Sequence, residues 1–239
     1  MASLNQRAWK IAEEAMRAAD DLRLAVHMVG GATILDCGIQ AVGGLQAGLL
    51  LARVCLSDLA EVSLVPGSIQ GIPAPSIQVF SDDPVRACMA SQYAGWQISA
   101  GKFFAMGSGP MRAAYGKEEL FDRIGGKETA LLAVGVLETR QIPNEEVIEF
   151  LSARLGLPAQ QLMLLAAPTA SIAGNVQVVA RSLETALHKL YELEFDLSQV
   201  VSGYGVAPPA SRRRSRSGRH WPNQRRDSLW RLCHYHRSF

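Results

Sequence analysis

The 239 residues are 48% hydrophobic and 19% charged, a balance that suits a folded body with a sizeable core rather than a disordered chain. The formal net charge of +2 averages two unlike segments: residues 1–210 carry 15 Lys and Arg against 21 Asp and Glu, whereas residues 211–239 carry nine Arg against one Asp. No apolar run is long enough to span a bilayer, and the acidic, helix-periodic N-terminus does not read as a secretory signal. Cys37, Cys55, Cys88 and Cys233 lie far apart with no C-x-x-C pair, which argues against disulfides or a zinc site and for a reducing cytoplasm.

Taken in chain order, Ser3 with Gln6 has the spacing of a capping box and opens a helix expected to run through about Asp21. Gly30-Gly31 between Leu24–Val29 and Ala32–Cys37 predicts a hairpin. A helix is expected from about Gly44 to Leu56, with Leu45, Leu49, Ala52 and Leu56 on one face. Glu61–Val65 and Ser76–Phe80 alternate like strands around a Gly/Pro-rich loop. Pro84 suits the first turn of a helix carrying Cys88, Met89 and Trp96. Thr129–Leu137 and Leu162–Ala166 read as buried strands, and Asn144 caps a helix that ends near Gly156. Strands and helices alternate throughout, so the expected class is α/β or interleaved α+β. There is no internal repeat, Walker sequence or dinucleotide fingerprint, and the lone G-x-G at Gly107–Gly109 is weak evidence for phosphate binding.

Two segments, Ala87–Ala113 and Ala167–Lys189, are crowded with Gly, Ala and Ser. The few charges within them are conspicuous: Lys102 and Arg112 in the first, Arg181, Glu184 and His188 in the second. Along a helix from Ile172, the apolar residues Ile172, Val176, Val179, Leu183, Leu187 and Leu190 form one stripe. Gln177, Arg181, Glu184 and His188 gather opposite. That polar side is either a solvated face with a weak Arg–Glu pair or the lining of a cleft where Arg181 and Glu184 handle protons. Periodicity alone does not choose between them.

The strings ATILDCG, CMASQYAGW, KFFAMGSGPMRA and APTASIAGNVQVVARSLETALHKL resemble the methenyltetrahydromethanopterin cyclohydrolases across essentially all of residues 1–210. The resemblance implies two interleaved α/β-type subdomains around a cleft, assembly as a homotrimer, and a place in methanogenic or formaldehyde-oxidising one-carbon metabolism. It also implies hydrolysis of a cyclic methenyl group to a formyl group with no metal or organic cofactor. Carried onto these residues, Glu184 activates water, and Arg181 orients Glu184 and tunes its proton affinity. Lys102, Arg112 and the Gly107-Ser108-Gly109 loop, with Ser108 at its centre, are candidates for the anionic tail of a pterin substrate. Tyr93, Trp96 and Phe103 either stack on the pterin or belong to the core. Gln177 joins the lining, and His188 either orients Glu184 or caps a polar face.

The resemblance stops near Ser211. Read literally, the Arg-rich segment 211–239 suggests a nucleic-acid-binding arm, and Cys233, His234 and His236 invite a metal. Back-translated with a one-nucleotide shift, however, His220–Arg231 can be read as Ile-Gly-Arg-Thr-Asn-Asp-Ala-Ile-Leu-Tyr-Gly, a string that resembles the family's sequence beyond its VAPPA region. Both glycines there are forced, because Trp221 and Trp230 have a single codon. Residues 211–239 are therefore expected to be an out-of-frame, disordered tail without specific nucleic-acid or membrane partners. The second subdomain is then incomplete, which leaves open an inactive fragment that still binds the pterin.

Overall fold

The computed structural model describes residues 3–69 and 71–209, together with the two-residue strand 233–234. The expectations placed on the rest of the segment 210–239, His236 included, lie outside the described residues.

Helix α1 (Leu4–Arg17) starts from the predicted capping box, with Ser3 Oγ accepting from the Gln6 backbone N–H at 3.1 Å. It stops short of Asp21: the chain breaks at Ala18, and a single turn, α2 (Ala19–Leu22), ends at Arg23 in the left-handed region. Strands β1 (Ala25–Val29) and β2 (Ala32–Asp36) form the predicted hairpin. Gly30 and Gly31 both have positive φ, 55° and 91°, as the tight two-residue turn requires.

Helix α3 (Leu45–Cys55) lies where expected, and Ala52 and Leu56 of the expected face are buried with Leu49 packed against the core, but the buried surface extends round to further residues. Its buried residues are Ala47, Gly48, Leu51, Ala52, Val54 and Cys55, whereas Leu45 is exposed. One cause is a close helix crossing: a Cβ on Gly48 would come within 2.5 Å of the Val176 Cβ, so a residue without a side chain faces the partner at that point. Strands β3 (Glu61–Ile69) and β4 (Ile72–Ser81) absorb the expected loop into one long antiparallel ribbon, in which Pro66 stands opposite Pro75. Before Ile77, β4 has only β3 beside it, and prolines are tolerated where no second neighbour needs their N–H.

The helix after Pro84 is a π-helix, Val85–Gln92, and it ends before Trp96. Trp96 instead opens β5 (Trp96–Ala100), which pairs with β6 (Phe103–Ser108). Next come α4 (Met111–Tyr115), α5 (Leu120–Ile124) and β7 (Ala133–Glu138), followed by α6 (Glu145–Leu155), capped by Asn144. Strand β8 (Leu162–Ala167), α7 (Ile172–Val179), α8 (Ser182–Glu192) and β9 (Gly203–Ala207) complete the body, and Cys233–His234 (β10) pairs with β9.

These elements make two sheets. The larger has the order β1-β2-β8-β7-β6-β5, with β2, β8 and β7 parallel and the outer strands antiparallel. The smaller, β10-β9-β4-β3, is antiparallel. The class is α/β, as expected. Strand β8 is buried at every residue because both faces of the large sheet are covered. Met163 and Leu165 pack with residues of α1 and α3, and Leu162 and Leu164 with residues of α6. A third apolar cluster joins the small sheet to α8 and the π-helix, through Ile77, Val79, Cys88, Met89, Leu183 and Leu187. Helix α7 bridges the two, with Ala173 in the large-sheet core and Val176 and Val179 in the small-sheet core. The junction between α7 and α8 therefore lies where the two layers meet. No helix among the described residues is long and apolar enough to cross a membrane.

Candidate active site

The helix expected to run on from Ile172 is two helices. Ser171 caps α7 by accepting from the Gly174 N–H at 3.0 Å. The chain then tightens at Ala180 and Arg181, and α8 restarts with Arg181 in its N-cap position. The apolar stripe is buried from Val176 through Leu187, although Ile172, at the start, is 44% exposed. The opposite side is not a solvated face. Glu184 is 4% exposed and Gln177 6%, so the polar side is enclosed as well.

Arg181 and Glu184 form a tight pair. Nε and Nη2 of Arg181 both donate to Oε2 of Glu184, at 3.0 and 2.9 Å. Burial by itself disfavours the charged guanidinium, but the adjacent carboxylate outweighs it and raises the Arg181 pKa above its ordinary value. Glu184 lies in the first turn of α8, where unpaired backbone N–H groups favour negative charge.

Arg181 lines a small crevice together with Gln177, Ser108, Glu138 and Thr169. The crevice has about 10 Å³ available to the centre of a water-sized sphere, room for about one water. Glu184 is not among the residues lining the crevice and is linked to it through its bonds to Arg181. Beneath the crevice, Gln177 Nε2 donates to Cys55 Sγ at 3.2 Å, and Cys55 Sγ is 3.4 Å from Ser108 Oγ. Burial is the main cause that holds the Cys55 thiol above its ordinary pKa, so it is a neutral packing group there. The enclosure supplies a carboxylate, a guanidinium and space for a water, the parts a proton-transfer site needs.

The other residues singled out from the sequence divide. Tyr93 stacks on His188 with ring centroids 4.9 Å apart, and burial, then the Glu184 carboxylate, raises its phenol above the ordinary value. His188 turns its Nδ1 toward Glu192, 3.7 Å away, rather than toward Glu184. Arg112 is 0% exposed and binds Glu118 through Nε and Nη2 and the Met89 and Ser91 carbonyls through Nη1. It braces the π-helix from inside and does not face the crevice. Phe103 and Trp96 lie in the core against α4 and α6. Lys102 is exposed at the β5–β6 turn, six strand residues from Ser108, which is about 20 Å at an ordinary strand rise. The Gly107–Gly109 segment is not an open loop: Gly107 pairs with Trp96 and Leu137, and Gly109 N donates to the Ser91 carbonyl at 2.9 Å.

Sequence reasoning missed Glu138 and Thr169. Thr169 Oγ1 donates to Glu138 Oε1, and Glu138 helps to raise the Arg181 pKa. The available signal was positional, because Glu138 ends one buried parallel strand and Thr169 stands two residues past the end of the other. Open α/β sheets gather ligands at the carboxyl ends of such strands.

Residues 3–217 match the family described as Cyclohydrolase (MCH). The chain belongs to this cyclohydrolase family. Among similar proteins is one named methenyltetrahydromethanopterin cyclohydrolase from Methanosarcina barkeri, 46% identical over 212 residues, covering 88% of this chain and 66% of the relative. Proteins of the same name from Rhodopirellula baltica and Methylobacillus flagellatus are each 44% identical, over 208 and 207 residues. These alignments cover 86% of this chain and 62% and 63% of the two relatives. This cyclohydrolase-family chain thus spans just under two thirds of the length of the curated relatives it matches.

Proposed function

We propose that this chain hydrolyses the methenyl bridge of 5,10-methenyl-tetrahydromethanopterin to the 5-formyl derivative, in methanogenic or formaldehyde-oxidising one-carbon metabolism. The observation that carries the reading is the enclosed Arg181–Glu184 pair beside a crevice with room for about one water. The names of the relatives from three organisms support the substrate class.

The methenyl carbon lies between two nitrogens in an amidinium-like cation and is already electrophilic, so the reaction needs no added Lewis acid or redox partner. With the pterin bound, the carboxylate of Glu184 swings past Arg181 into the crevice and takes one proton from a water as the water oxygen bonds to that carbon. One carbon–nitrogen bond then breaks, and Glu184 returns the proton to the departing nitrogen. The second water proton goes to solvent as the formyl carbonyl forms. Positioned acid–base catalysis of this kind contributes about 10²- to 10⁴-fold. Arg181 orients the carboxylate through Oε2, and Glu138 supplies a second negative charge at the crevice to meet the substrate cation. The pterin ring, too large for the crevice itself, lies across its mouth near Tyr93.

We further read the chain as a cytoplasmic protein that assembles as a homotrimer, with residues 1–210 forming the cyclohydrolase body. Residues 211–239 are read as an out-of-frame tail, which the nucleotide sequence across codons 205–235 tests directly.

The functional test is loss of the methenyl absorbance on mixing the pterin with the full chain, and then with Glu184→Gln. Loss of at least about 10²-fold in the variant supports the mechanism. A variant turning over at the parental rate removes Glu184 from it. Saturable binding by the parent without turnover identifies a pterin-binding fragment.

A further inference from the structure

We propose that Gln92 is a positioning residue for the Arg181–Glu184 pair, acting on the backbone at the break between α7 and α8. The inference rests on the functional reading above and adds a residue that none of its steps uses.

Gln92 is the last residue of the π-helix and is fully buried. Its Nε2 donates to the carbonyl of Ala180 at 3.2 Å. That carbonyl belongs to the residue immediately before Arg181, at the point where α7 stops and α8 begins. The side chain's other polar atom, Oε1, is buried without a hydrogen-bond partner. An apolar residue of similar size would avoid that penalty, so the position is served by the donor rather than by packing alone.

The π-helix is built to aim this donor. Its wide turn closes from the Tyr93 N–H back to the Cys88 carbonyl at 2.8 Å. The carbonyls of its last turn are held from outside the helix, Ser91 by Gly109 N, and both Met89 and Ser91 by the buried Arg112. Ser91 Oγ also donates to the Cys55 carbonyl at 2.5 Å. Gln92 therefore projects from a backbone with little freedom to shift.

The consequence falls on Glu184. With the Ala180 carbonyl engaged sideways, Arg181 takes the N-cap position and Glu184 falls in the first turn of α8. In one continuous helix Glu184 would lie mid-helix, away from the N-terminal backbone donors that favour its charge. Gln92 thus fixes where the second helix begins, and with it where the carboxylate stands.

The test replaces Gln92 in the full chain with Met, which has similar volume and no donor. The expected crystal structure of Gln92→Met keeps both sheets, but its Arg181–Glu184 contacts open beyond about 4 Å, outside ion-pair range. The expected kcat for methenyl hydrolysis falls about 10- to 100-fold, with KM within about twofold, because misplacement rather than lost binding is the defect. A pair retained at parental geometry, or a kcat equal to that of the parent, overturns the proposal. Should Gln92→Met fail to fold, Gln92→Glu decides, since only its protonated form can donate to Ala180. The ratio of its kcat to that of the parent is then expected to rise as pH falls from 8 to 5, and a flat ratio overturns the proposal. Glu184→Gln run in parallel separates the two ideas. A fully active Glu184→Gln sinks the mechanism, whereas an inactive Glu184→Gln beside a fully active Gln92→Met sinks only the role of Gln92. If the parent binds pterin without turnover, crystal structures of the parent and of Gln92→Met decide.

Discussion

Arg181 directs two of its N–H groups at a single oxygen of Glu184, Oε2, rather than one at each oxygen. The carboxylate is anchored through one oxygen, an asymmetry that suits a group meant to face a reactant with the other. A point charge cannot reproduce that fork. Arg181→Lys is expected to lower kcat about 10- to 100-fold while the protein stays folded. Arg181→Leu, which strands a buried carboxylate, is expected to cost about 3 kcal/mol in urea unfolding. Equal stability of the two variants would contradict the pairing.

A second expectation concerns Asp36, fully buried at the end of β2. Its Oδ1 accepts from the N–H groups of Gly38 and Ile39 and its Oδ2 from those of Gln40 and Ala41, at 2.6 to 2.9 Å. Asp36→Asn turns one acceptor into a donor that faces N–H groups. A loss of about 2 kcal/mol is expected, with faster amide exchange at residues 38–41 than elsewhere in the sheet.

Arg112 provides a third. Its partners are Glu118 and two carbonyls of the π-helix, so its removal leaves a carboxylate and backbone acceptors without their donor. Arg112→Met is expected to cost about 3 kcal/mol, and Arg112→Lys to recover only part of it, because one ammonium cannot span all the partners. Denaturant midpoints read both. Full recovery by lysine would show that only the charge matters.

The fourth is a pH dependence. Burial, then the nearby Glu184 carboxylate, raises the Tyr93 phenol above its ordinary value of 10.0, with Arg112 opposing. A raised folded-state pKa contributes stability that is complete below about pH 10 and lost as pH rises through the folded value. Tyr93→Phe keeps the ring on His188 and removes the titrating group. The melting temperature of the variant is therefore expected to fall less steeply than that of the parent between pH 9 and 11. Identical alkaline limbs would assign the loss to other groups.

Much of this molecule was legible along the chain because the decisive forces were local. The Ser3 capping box, the Gly30-Gly31 turn, the Asn144 cap and the unbroken apolar run of β8 each depend on a few neighbouring residues and on simple periodicity. So did the pairing of Arg181 with Glu184, which stand three apart on neighbouring turns. Tertiary structure alone decided the rest. Whether the polar side of α7 and α8 met water or protein depended on the π-helix and the large sheet, distant in sequence, closing over it. The inner face of α3 was set in part by the close approach of α7 at Gly48, which no single-helix pattern contains. The joining of Glu138, Thr169 and Arg181 came from strand order, which placed the ends of β7 and β8 beside the helix break. A chain reveals the preferences of its segments, whereas burial and charge environment arise only when separate segments exclude water from one another.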